Sequence, residues 1–359
     1  MQFTSSSPEK TPVNTLVIGA GSWGTALAIA AAQTGPTLLW SRHAKQAEHI
    51  NLQRHNPSYL QDIELPESLK ATADKKAAIA FLQHGPDGSG DSSSPALIIF
   101  ALPVKAMRQS IQEWLPLFEE AGLSHVPYVW TCKGFEEETS LLPHEIIADV
   151  APDSKQPSGI LSGPTFAREV AQCLPVAITV ASHDPIVGER VIQALHNKQT
   201  RVYYSKDIVG VEVGGAMKNV IALACGISDG LSLGNNARAA LITRGLYEIR
   251  RLGLAMGGQA ETFSGLTGLG DLVLTSTGDL SRNRQVGLAL AKGQSLEEIL
   301  ATGLTAEGVR CARAALARAT SLGVEMPITE VVCDILFNDV NSLESVAKLL
   351  AREVKSEDS

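Results

Sequence analysis

Short apolar runs alternate with helix-like stretches along the first two hundred residues of the chain. The first two runs are residues 15–18 and 37–40, and an alanine-rich stretch suited to a helix, 25–32, lies between them. This order predicts a βαβ unit, and therefore a parallel sheet with right-handed crossovers. Further strand-like runs follow at 96–101, 126–131, 177–181 and 201–204, with a helical segment at 187–195.

After residue 207 the strand-like runs stop and the spacing becomes helical. Residues 209–227 are apolar on most faces, which predicts a helix buried inside a helical domain. Further helices are predicted at 238–253, 283–292, 295–302, 307–322 and 328–337. We therefore place a domain boundary near 205–208, between a first domain at 13–206 and an all-helical second domain at 207–350.

Composition narrows the class of protein. The chain has 359 residues, 44% of them hydrophobic, which suits two folded domains. The net charge of −8 argues against general nucleic-acid binding, so an anionic ligand would need local positive charge. Five scattered cysteines without CxxC spacing favour a reduced, cytoplasmic protein with no metal site.

Other sequence features argue against membrane insertion. No run of about 18 apolar residues is present, so no membrane insertion is expected. The polar, serine-rich segment 1–12 lacks the apolar core of a signal peptide and predicts a disordered tail. The Gly/Ser/Asp/Pro-rich segment 84–95 predicts a surface-loop insertion.

A glycine-rich turn directly follows the first strand. Gly19, Gly21 and Gly24 form GxGxxG, with Ser22 and Trp23 inside it, just before the alanine-rich helix. In this context the first glycine permits a tight turn, the second lets a pyrophosphate approach the backbone, and the third allows close helix–strand packing. The alternative is a tight turn between core elements. The pattern predicts an α/β fold, with an N-terminal Rossmann-type parallel sheet that binds a dinucleotide, followed by the all-helical domain.

The end of the second strand bears on the choice between NAD and NADP. NAD-selective sites usually carry an acid there, about twenty residues after the glycine turn, whereas this chain has Trp40, Ser41, Arg42 and His43. A guanidinium at Arg42 matches a 2′-phosphate, so NADP is favoured, with NAD or dual use as the other outcome. Alternatively, Arg42 is an ordinary solvated charge.

Lys218 lies on the long apolar helix. Its neighbours three and four residues away are Gly214, Gly215, Ile221 and Ala222, none of which is a counter-ion. Burial should therefore lower its pKa, and such a lysine could exchange a proton with an alcohol or carbonyl oxygen. In the alternative, its stem packs on the core while its ammonium reaches solvent.

Two polar segments further along offer candidate ligand-binding groups, and the segment 281–284 suggests a phosphate ligand. Ser281 and Asn283 flank Arg282, and Arg284 follows, so the segment offers two guanidiniums and two neutral hydrogen-bonding groups. Asp271, after a glycine-rich stretch at 265–270, could bond a hydroxyl, pair with Lys218 or cap the following helix. A surface charge cluster is the alternative for 281–284.

Seven segments together resemble the bacterial type of NAD(P)-dependent glycerol-3-phosphate dehydrogenase. They are VIGAGSWGTALA (17–28), LIIFALPVKAMR (97–108), TCKGFE (131–136), LSGPTFAREV (161–170), VGVEVGGAMKNVIALACGISDGL (209–231), TGLGDLVLTSTGDLSRNRQVG (267–287) and TAEGVR (305–310). GGAMKN and SRNR are the specific ones. The N-terminal tail, the 84–95 insertion and the acidic C-terminal tail depart from the family's pattern, and none falls in a motif.

The resemblance implies reversible reduction of dihydroxyacetone phosphate to sn-glycerol 3-phosphate with NAD(P)H, which supplies glycerophospholipid synthesis. It implies Lys218 as the proton-transferring residue. The implied cofactor-binding residues are Gly19, Gly21, Ser22, Trp23, Gly24, Arg42, His43, Lys133, Ala167, Arg282, Thr305 and Glu307. The implied substrate-binding residues are Lys133, Gly163, Thr165, Lys218, Asp271, Ser281, Arg282 and Asn283.

Two other functions fit the same layout. A 3-hydroxyacid or ketopantoate-type reductase would need a carboxylate pocket, and the segment 281–284 argues against it. A catalytically inert NADP-binding redox sensor would have no use for Lys218, Lys133 and Asp271. The sequence also leaves the oligomeric state open, and a homodimer through the helical domain is one arrangement it permits.

Overall fold

The computed structural model describes residues 11–85, 94–304, 306–338 and 340–350. The chain forms two compact units. The first comprises Met1–Cys132, Ile147–Leu161 and Thr165–Lys206, and the second comprises Lys133–Ile146, Ser162–Pro164 and Asp207–Ser359. The two short segments in the second unit differ from the contiguous division expected from sequence. Most of the expected N-terminal tail and of the 84–95 insertion, and the acidic C-terminal tail, lie outside the described residues.

An eight-stranded sheet organises the first unit, in the order β3-β2-β1-β4-β5-β6-β7-β8. β1 pairs in parallel with both β2 and β4, and Leu16, Val17 and Ile18 on β1 are fully buried, as in a sheet covered on both faces. The Rossmann-type sheet is thereby confirmed. The strands are β1 Asn14–Ile18, β2 Thr37–Trp40, β3 Leu69–Thr72, β4 Ala96–Phe100, β5 Tyr128–Trp130, β6 Ser158–Ser162, β7 Val176–Ala181 and β8 Thr200–Ser205.

The strand pattern read from sequence differs from this sheet in two respects. β3 and β6 were not predicted, because LKAT and SGILS are short and mix polar residues or glycine with apolar ones. A Cβ at Gly159 of β6 would lie 2.5 Å from the Ala181 carbonyl oxygen, so close backbone approach explains this glycine. The predicted strand 126–131 is shorter, beginning after Pro127, which has no N–H to donate.

Seven helices, α1 to α7, occur among the described residues up to 205. α1 follows the glycine turn, and Thr25 to Ala31 on it are buried. Trp114 of α4 packs edge-on against Trp40 at the end of β2, with ring centroids 5.2 Å apart. The helices are α1 Ser22–Ala31, α2 Ala44–Gln53, α3 Lys75–His84, α4 Met107–Glu120, α5 Pro143–Val150, α6 Ala167–Ala171 and α7 Pro185–Leu195, with a 3₁₀ turn at Val104–Ala106.

Beyond Ser205 the described residues contain helices and turns but no strand, so the all-helical C-terminal domain is confirmed. Three elements here were not predicted: α10, α16 and a π-helical turn at Leu266–Gly270. A helix after Asp271 was considered only as one that this residue could cap, and it is present as α11. The helices are α8 Ile208–Gly230, α9 Gly234–Ala255, α10 Ala260–Phe263, α11 Asp271–Thr277, α12 Arg282–Ala291, α13 Leu296–Ala301, α14 Glu307–Ser321, α15 Pro327–Phe337 and α16 Ser342–Leu350.

The central element of the second unit is α8, which packs against α9, α11, α12 and α14. α8 and α12 approach closely at glycines: a Cβ at Gly226 would lie 2.2 Å from the Arg284 carbonyl oxygen. Among the described helices, α8 is the one long and apolar enough to cross a membrane, yet 94% of its apolar window is buried within the protein. That burial is typical of a core helix.

Candidate active site

The glycine turn between β1 and α1 has the geometry of a dinucleotide-phosphate turn. Gly19 has φ +116°, and a Cβ there would lie 2.4 Å from the Ala101 carbonyl oxygen. A Cβ at Gly24 would lie 1.8 Å from the Gly19 oxygen, so the helix packs on the turn itself. At Gly21 a Cβ would meet nothing within 4 Å among the described residues, and this open space adjoins the α1 N-terminus. The turn therefore fits a pyrophosphate.

Two side chains that sequence reasoning missed hold this turn in shape. Gln46 Nε2 donates to the Ala20 carbonyl oxygen at 3.0 Å, and Asn56 Nδ2 donates to the same oxygen at 3.1 Å. Asn56 is fully buried and also bonds the Thr25 hydroxyl on α1 at 2.8 Å. Because both residues lie far from the motif in sequence, no local pattern identified them.

Beyond β2, the chain presents cationic and neutral groups. Arg42 and His43 are exposed, and Arg42 Nε donates to His43 Nε2 at 3.1 Å. Ser41 is buried, donates through Oγ to Gln46 Oε1 at 2.6 Å, and accepts the His43 backbone N–H. The geometry leaves the Arg42 guanidinium at the surface.

A buried carboxylate in the second unit binds two lysines. Asp271, the first residue of α11, is fully buried. Its Oδ1 lies 2.5 Å from Lys218 Nζ on α8, and its Oδ2 lies 2.6 Å from Lys133 Nζ. Lys133 Nζ also donates to the Gly163 carbonyl oxygen at 3.2 Å. Of the three uses weighed for Asp271, the structure shows pairing with Lys218 and no side-chain cap to α11.

The electrostatics of Lys218 follow from this burial. Its side chain is 8% exposed. Burial lowers the pKa of Lys218 to about 8, a fall that the Asp271 carboxylate opposes and the nearby Lys133 charge reinforces. Lys218 Nζ also donates to the Thr275 hydroxyl at 3.0 Å. A lysine with this pKa exchanges protons readily near neutral pH.

Glu307, the first residue of α14, is partly buried. Burial raises the pKa of the Glu307 carboxyl, and the positive charges of Arg282, Lys133 and Lys218 oppose that rise. The three cations and this acid therefore share one electrostatic environment in the second unit.

The segment 281–284 begins α12, with Ser281 capping the helix by accepting the Arg284 backbone N–H at 3.2 Å. The sequence predicted that both Arg282 and Arg284 are available to bind an anion, and the structure corrects this for Arg284. Arg284 forms ion pairs with Asp229 at 2.8 Å and with Asp279 at 2.9 Å. Its positive charge is therefore already neutralised by these carboxylates. Arg282 is exposed at the first position of the helix. The segment thus offers one guanidinium at a helix N-terminus.

Asn283 is buried and links three helices. Its Nδ2 donates to Asn219 Oδ1 at 2.9 Å, and its Oδ1 accepts the Gly308 backbone N–H at 2.9 Å. Asn219, next to Lys218 on α8, was not singled out from sequence. Its Nδ2 is buried and has no hydrogen-bond partner among the described residues. A buried donor without a partner is a candidate ligand contact.

The remaining expected residues occupy loops and helix starts. Gly163, with φ +143°, follows β6, and half-buried Thr165 lies between β6 and α6. Ala167 is the first residue of α6 and packs partly buried against the core of the first unit. Ser22 and Trp23 open α1. Thr305 lies outside the described residues.

A glycine turn on a Rossmann-type sheet and a helical unit with a buried lysine–carboxylate centre are typical of two-domain, dinucleotide-dependent oxidoreductases. Two family models locate the chain within that class: the N-terminal model of NAD-dependent glycerol-3-phosphate dehydrogenase matches residues 14–187, and the C-terminal model matches residues 207–347. The chain belongs to the NAD-dependent glycerol-3-phosphate dehydrogenase family.

Named relatives and solved structures agree with this family. A glycerol-3-phosphate dehydrogenase [NAD(P)+] from Burkholderia cenocepacia is 52% identical over 342 residues, which cover 95% of this chain and 99% of the relative. The structure of glycerol-3-phosphate dehydrogenase from Coxiella burnetii has a TM-score of 0.84 at 38% identity, covering 94% of this chain and 98% of that one. The Saccharomyces cerevisiae enzyme gives 0.78 at 26% identity, covering 95% and 100%.

Proposed function

We propose that this protein is a glycerol-3-phosphate dehydrogenase that reversibly reduces dihydroxyacetone phosphate to sn-glycerol 3-phosphate with NAD(P)H. The observation that carries the proposal is the pair of lysines on one buried carboxylate, Lys218 and Lys133 on Asp271. The family membership and the names of the relatives support the same reaction. The product would supply glycerophospholipid synthesis.

In oxidation, the neutral Lys218 amine accepts the proton of the C2 hydroxyl, and a C2 carbonyl forms. NAD(P), held at the glycine turn, would supply reversible hydride transfer at C2. Reduction reverses the proton step, because the Lys218 ammonium then donates to the developing alkoxide. Asp271 and Thr275 orient the Lys218 side chain through the bonds described above.

Lys133 and Asp271 would contact the substrate's oxygens, with Lys133 supplying positive charge where the carbonyl oxygen becomes negative. Arg282 and Asn283 would hold the phosphate, together with Ser281 at the start of α12. Asn219 Nδ2, which has no partner in the part of the chain that the structure describes, is a further substrate donor in this proposal. Gly163 and Thr165 complete the proposed substrate set.

In this proposal the domain expected from sequence at 13–206 is the NAD(P)-binding domain, and the domain at 207–350 is the substrate and catalytic domain. The proposed cofactor residues are Gly19, Gly21, Ser22, Trp23, Gly24, Arg42, His43, Lys133, Ala167, Arg282, Thr305 and Glu307. The absence of an acid at the end of β2, with exposed Arg42 in its place, supports a preference for NADP. We also propose a cytoplasmic location and a homodimer through the helical unit. Sedimentation velocity tests the dimer.

The deciding experiment is the initial rate of NADPH and NADH oxidation with dihydroxyacetone phosphate. Unphosphorylated dihydroxyacetone is the control. Oxidation that requires the phosphate supports the proposed reaction, and Arg42→Ala should then raise the KM for NADPH more than the KM for NADH. A lack of oxidation with both cofactors would reject the proposal. Hydroxyacid and ketopantoate substrates would then be assayed.

A further inference from the structure

A second buried acid lies on α8, away from the proton-transfer group. The Glu212 side chain is 1% exposed. Its Oε1 accepts the backbone N–H of His144 at 3.0 Å, and its Oε2 pairs with His144 Nδ1. A buried carboxylate is costly unless its oxygens are satisfied, and His144 supplies both bonds from the start of α5. No step of the proposed reaction uses this pair.

His144 belongs to the segment 133–146, whose first residue is Lys133. Between these two residues the chain is anchored in the core of the second unit, where Phe135 is 3% exposed and Leu142 is fully buried. The intervening loop closes on itself, because the Glu136 N–H donates to the Leu141 carbonyl oxygen at 2.9 Å. A displacement at the His144 end would therefore be transmitted toward Lys133.

Both ends of this segment rest on the same helix. Gly215 follows Glu212 by three residues on α8, and a Cβ at Gly215 would lie 3.4 Å from Lys133 Cγ. The Lys133 stem thus packs against α8 one turn beyond the Glu212–His144 pair. Lys218 lies six residues after Glu212, about 9 Å further along the helix axis.

We propose that Glu212 is a positioning residue: through His144 it fixes the segment 133–146 on α8 and holds the Lys133 ammonium at Asp271, beside Lys218. The inference rests on the proposed function, because it assigns Lys133 a role in turnover. Lys133 has a long flexible side chain, and misplacement of a catalytic group by about 1 Å can lower a rate as much as about 100-fold. A rigid attachment at both ends of the segment limits that displacement.

The charges around His144 favour a stable pair. Burial lowers the pKa of His144, but the hydrogen bond and charge of Glu212, with the charge of Glu145, outweigh it, and the net shift is upward. Arg318 opposes this rise and forms its own ion pair with Glu145 at 2.5 Å. The imidazolium therefore persists to higher pH than for an unperturbed histidine.

Hydrogen exchange tests the attachment without reference to activity. Glu212→Ala should speed amide exchange in peptides covering 133–146, whereas Glu212→Gln, which keeps a carbonyl acceptor, should restore most of the protection. His144→Ala serves if Glu212→Ala does not fold. The control is Arg318→Ala, which breaks the neighbouring ion pair but leaves both Glu212 bonds. Unchanged exchange at 133–146 in Glu212→Ala and His144→Ala would overturn the proposal.

A double-mutant cycle tests the effect on Lys133. In the wild-type background, Glu212→Ala should lower kcat at least about 10-fold, with the KM for NADPH changed less than about 2-fold. In the Lys133→Ala background, Glu212→Ala should lower kcat less than about 2-fold, because the ammonium that Glu212 positions is gone. Glu212→Gln should recover activity to within about 3-fold of wild type, and Arg318→Ala should match wild type.

Failure of the positioning role and failure of the proposed function would give different experimental results. Equal losses from Glu212→Ala in both backgrounds would show a general structural effect and would overturn positioning through Lys133. If the wild type is active and Glu212→Ala does not lower kcat, the positioning role of Glu212 is also overturned. The proposed function would then stand. A wild type without turnover would reject the proposed function and the catalytic part of this inference together.

Discussion

The Asp271 carboxylate lies 2.5 Å from the Lys218 ammonium, although 53 residues separate them along the chain. Lys133 occupies the other oxygen of the same carboxylate, so two ammonium groups share one negative charge. Such a centre carries an excess positive charge when both lysines are protonated. That excess favours a substrate oxygen that becomes negative during reaction.

Replacing Lys218 should abolish turnover while leaving cofactor binding intact. Lys218→Met keeps most of the buried stem but cannot transfer a proton, so kcat should fall at least about 100-fold. NADPH affinity, measured by quenching of protein fluorescence, should change little. The control is Lys292→Met, at the end of α12. A Lys218→Met enzyme that keeps more than about a tenth of the wild-type kcat would refute the proton-transfer role.

The pH dependence should follow the lowered pKa of Lys218. Glycerol 3-phosphate oxidation needs the neutral amine, so its kcat should rise with pH through a midpoint of about 8. Reduction needs the ammonium and should decline above the same midpoint. Asp271→Asn should move the midpoint lower, because the carboxylate favours the charged amine. A wild-type midpoint near 10.5, the ordinary lysine value, would contradict this assignment.

Two arginines separated by one residue offer a matched test of phosphate binding. Arg282→Met should raise the KM for dihydroxyacetone phosphate about 10- to 100-fold, since a hydrogen bond to a charged group contributes about 1.5–3 kcal/mol. The rate with unphosphorylated dihydroxyacetone should be the same in Arg282→Met and wild type, because this compound has no phosphate to bind. Arg284→Met should instead lower the melting temperature, because Asp229 and Asp279 lose their partner. If the two variants had the same KM, Arg282 would not be the phosphate ligand.

Glu248 on α9 should make stability depend on pH. It is 1% exposed and accepts the backbone N–H groups of Ile328 and Thr329 at 2.5 and 3.3 Å. Burial nevertheless raises the pKa of Glu248 from 4.5 to about 7. The folded protein therefore binds more protons than the unfolded chain between these values, and stability falls as pH rises through that window.

The expected loss at Glu248 between pH 5 and pH 7.5 is about 2 kcal/mol, given about 1.4 kcal/mol per pKa unit and incomplete titration at both pH values. Urea unfolding at pH 5 and pH 7.5 measures it as the difference between wild type and Glu248→Gln, in which the drop should be absent. Glu330→Gln removes one exposed carboxylate from α15 and is the control. An equal pH dependence in wild type and Glu248→Gln would exclude Glu248 as the source.

Local sequence patterns predicted much of the fold. The glycine turn and its flanking apolar runs predicted the βαβ unit, because strand and helix periods are properties of neighbouring residues. The long apolar stretch predicted α8. The patterns did not reveal β3 or β6, whose short mixed sequences become strands through pairing with neighbours in the sheet.

The site divides in the same way. Burial of Lys218 was predictable from its apolar helix, and pairing with Lys218 was one of three uses that the sequence left open for Asp271. The sequence could not choose among the three uses or show that Lys133 binds the same carboxylate, since these residues meet only through folding. Arg284 is a residue whose predicted role the fold changed. Sequence grouped it with Arg282 as a ligand for an anion, whereas the fold pairs it with Asp229, 55 residues earlier.

The sequence by itself determined that a region of alternating strands and helices precedes an all-helical region. It also determined the glycine turn and the residues available for chemistry. Hydrogen-bonding periodicity and glycine's freedom from a Cβ act over a few residues, so one stretch of chain is enough to read them. The tertiary structure alone decided which charges meet, that Asn219 Nδ2 is buried without a partner among the described residues, and that Glu212 binds His144. Electrostatic pairing and burial depend on distances between segments remote in sequence, and only packing sets those distances.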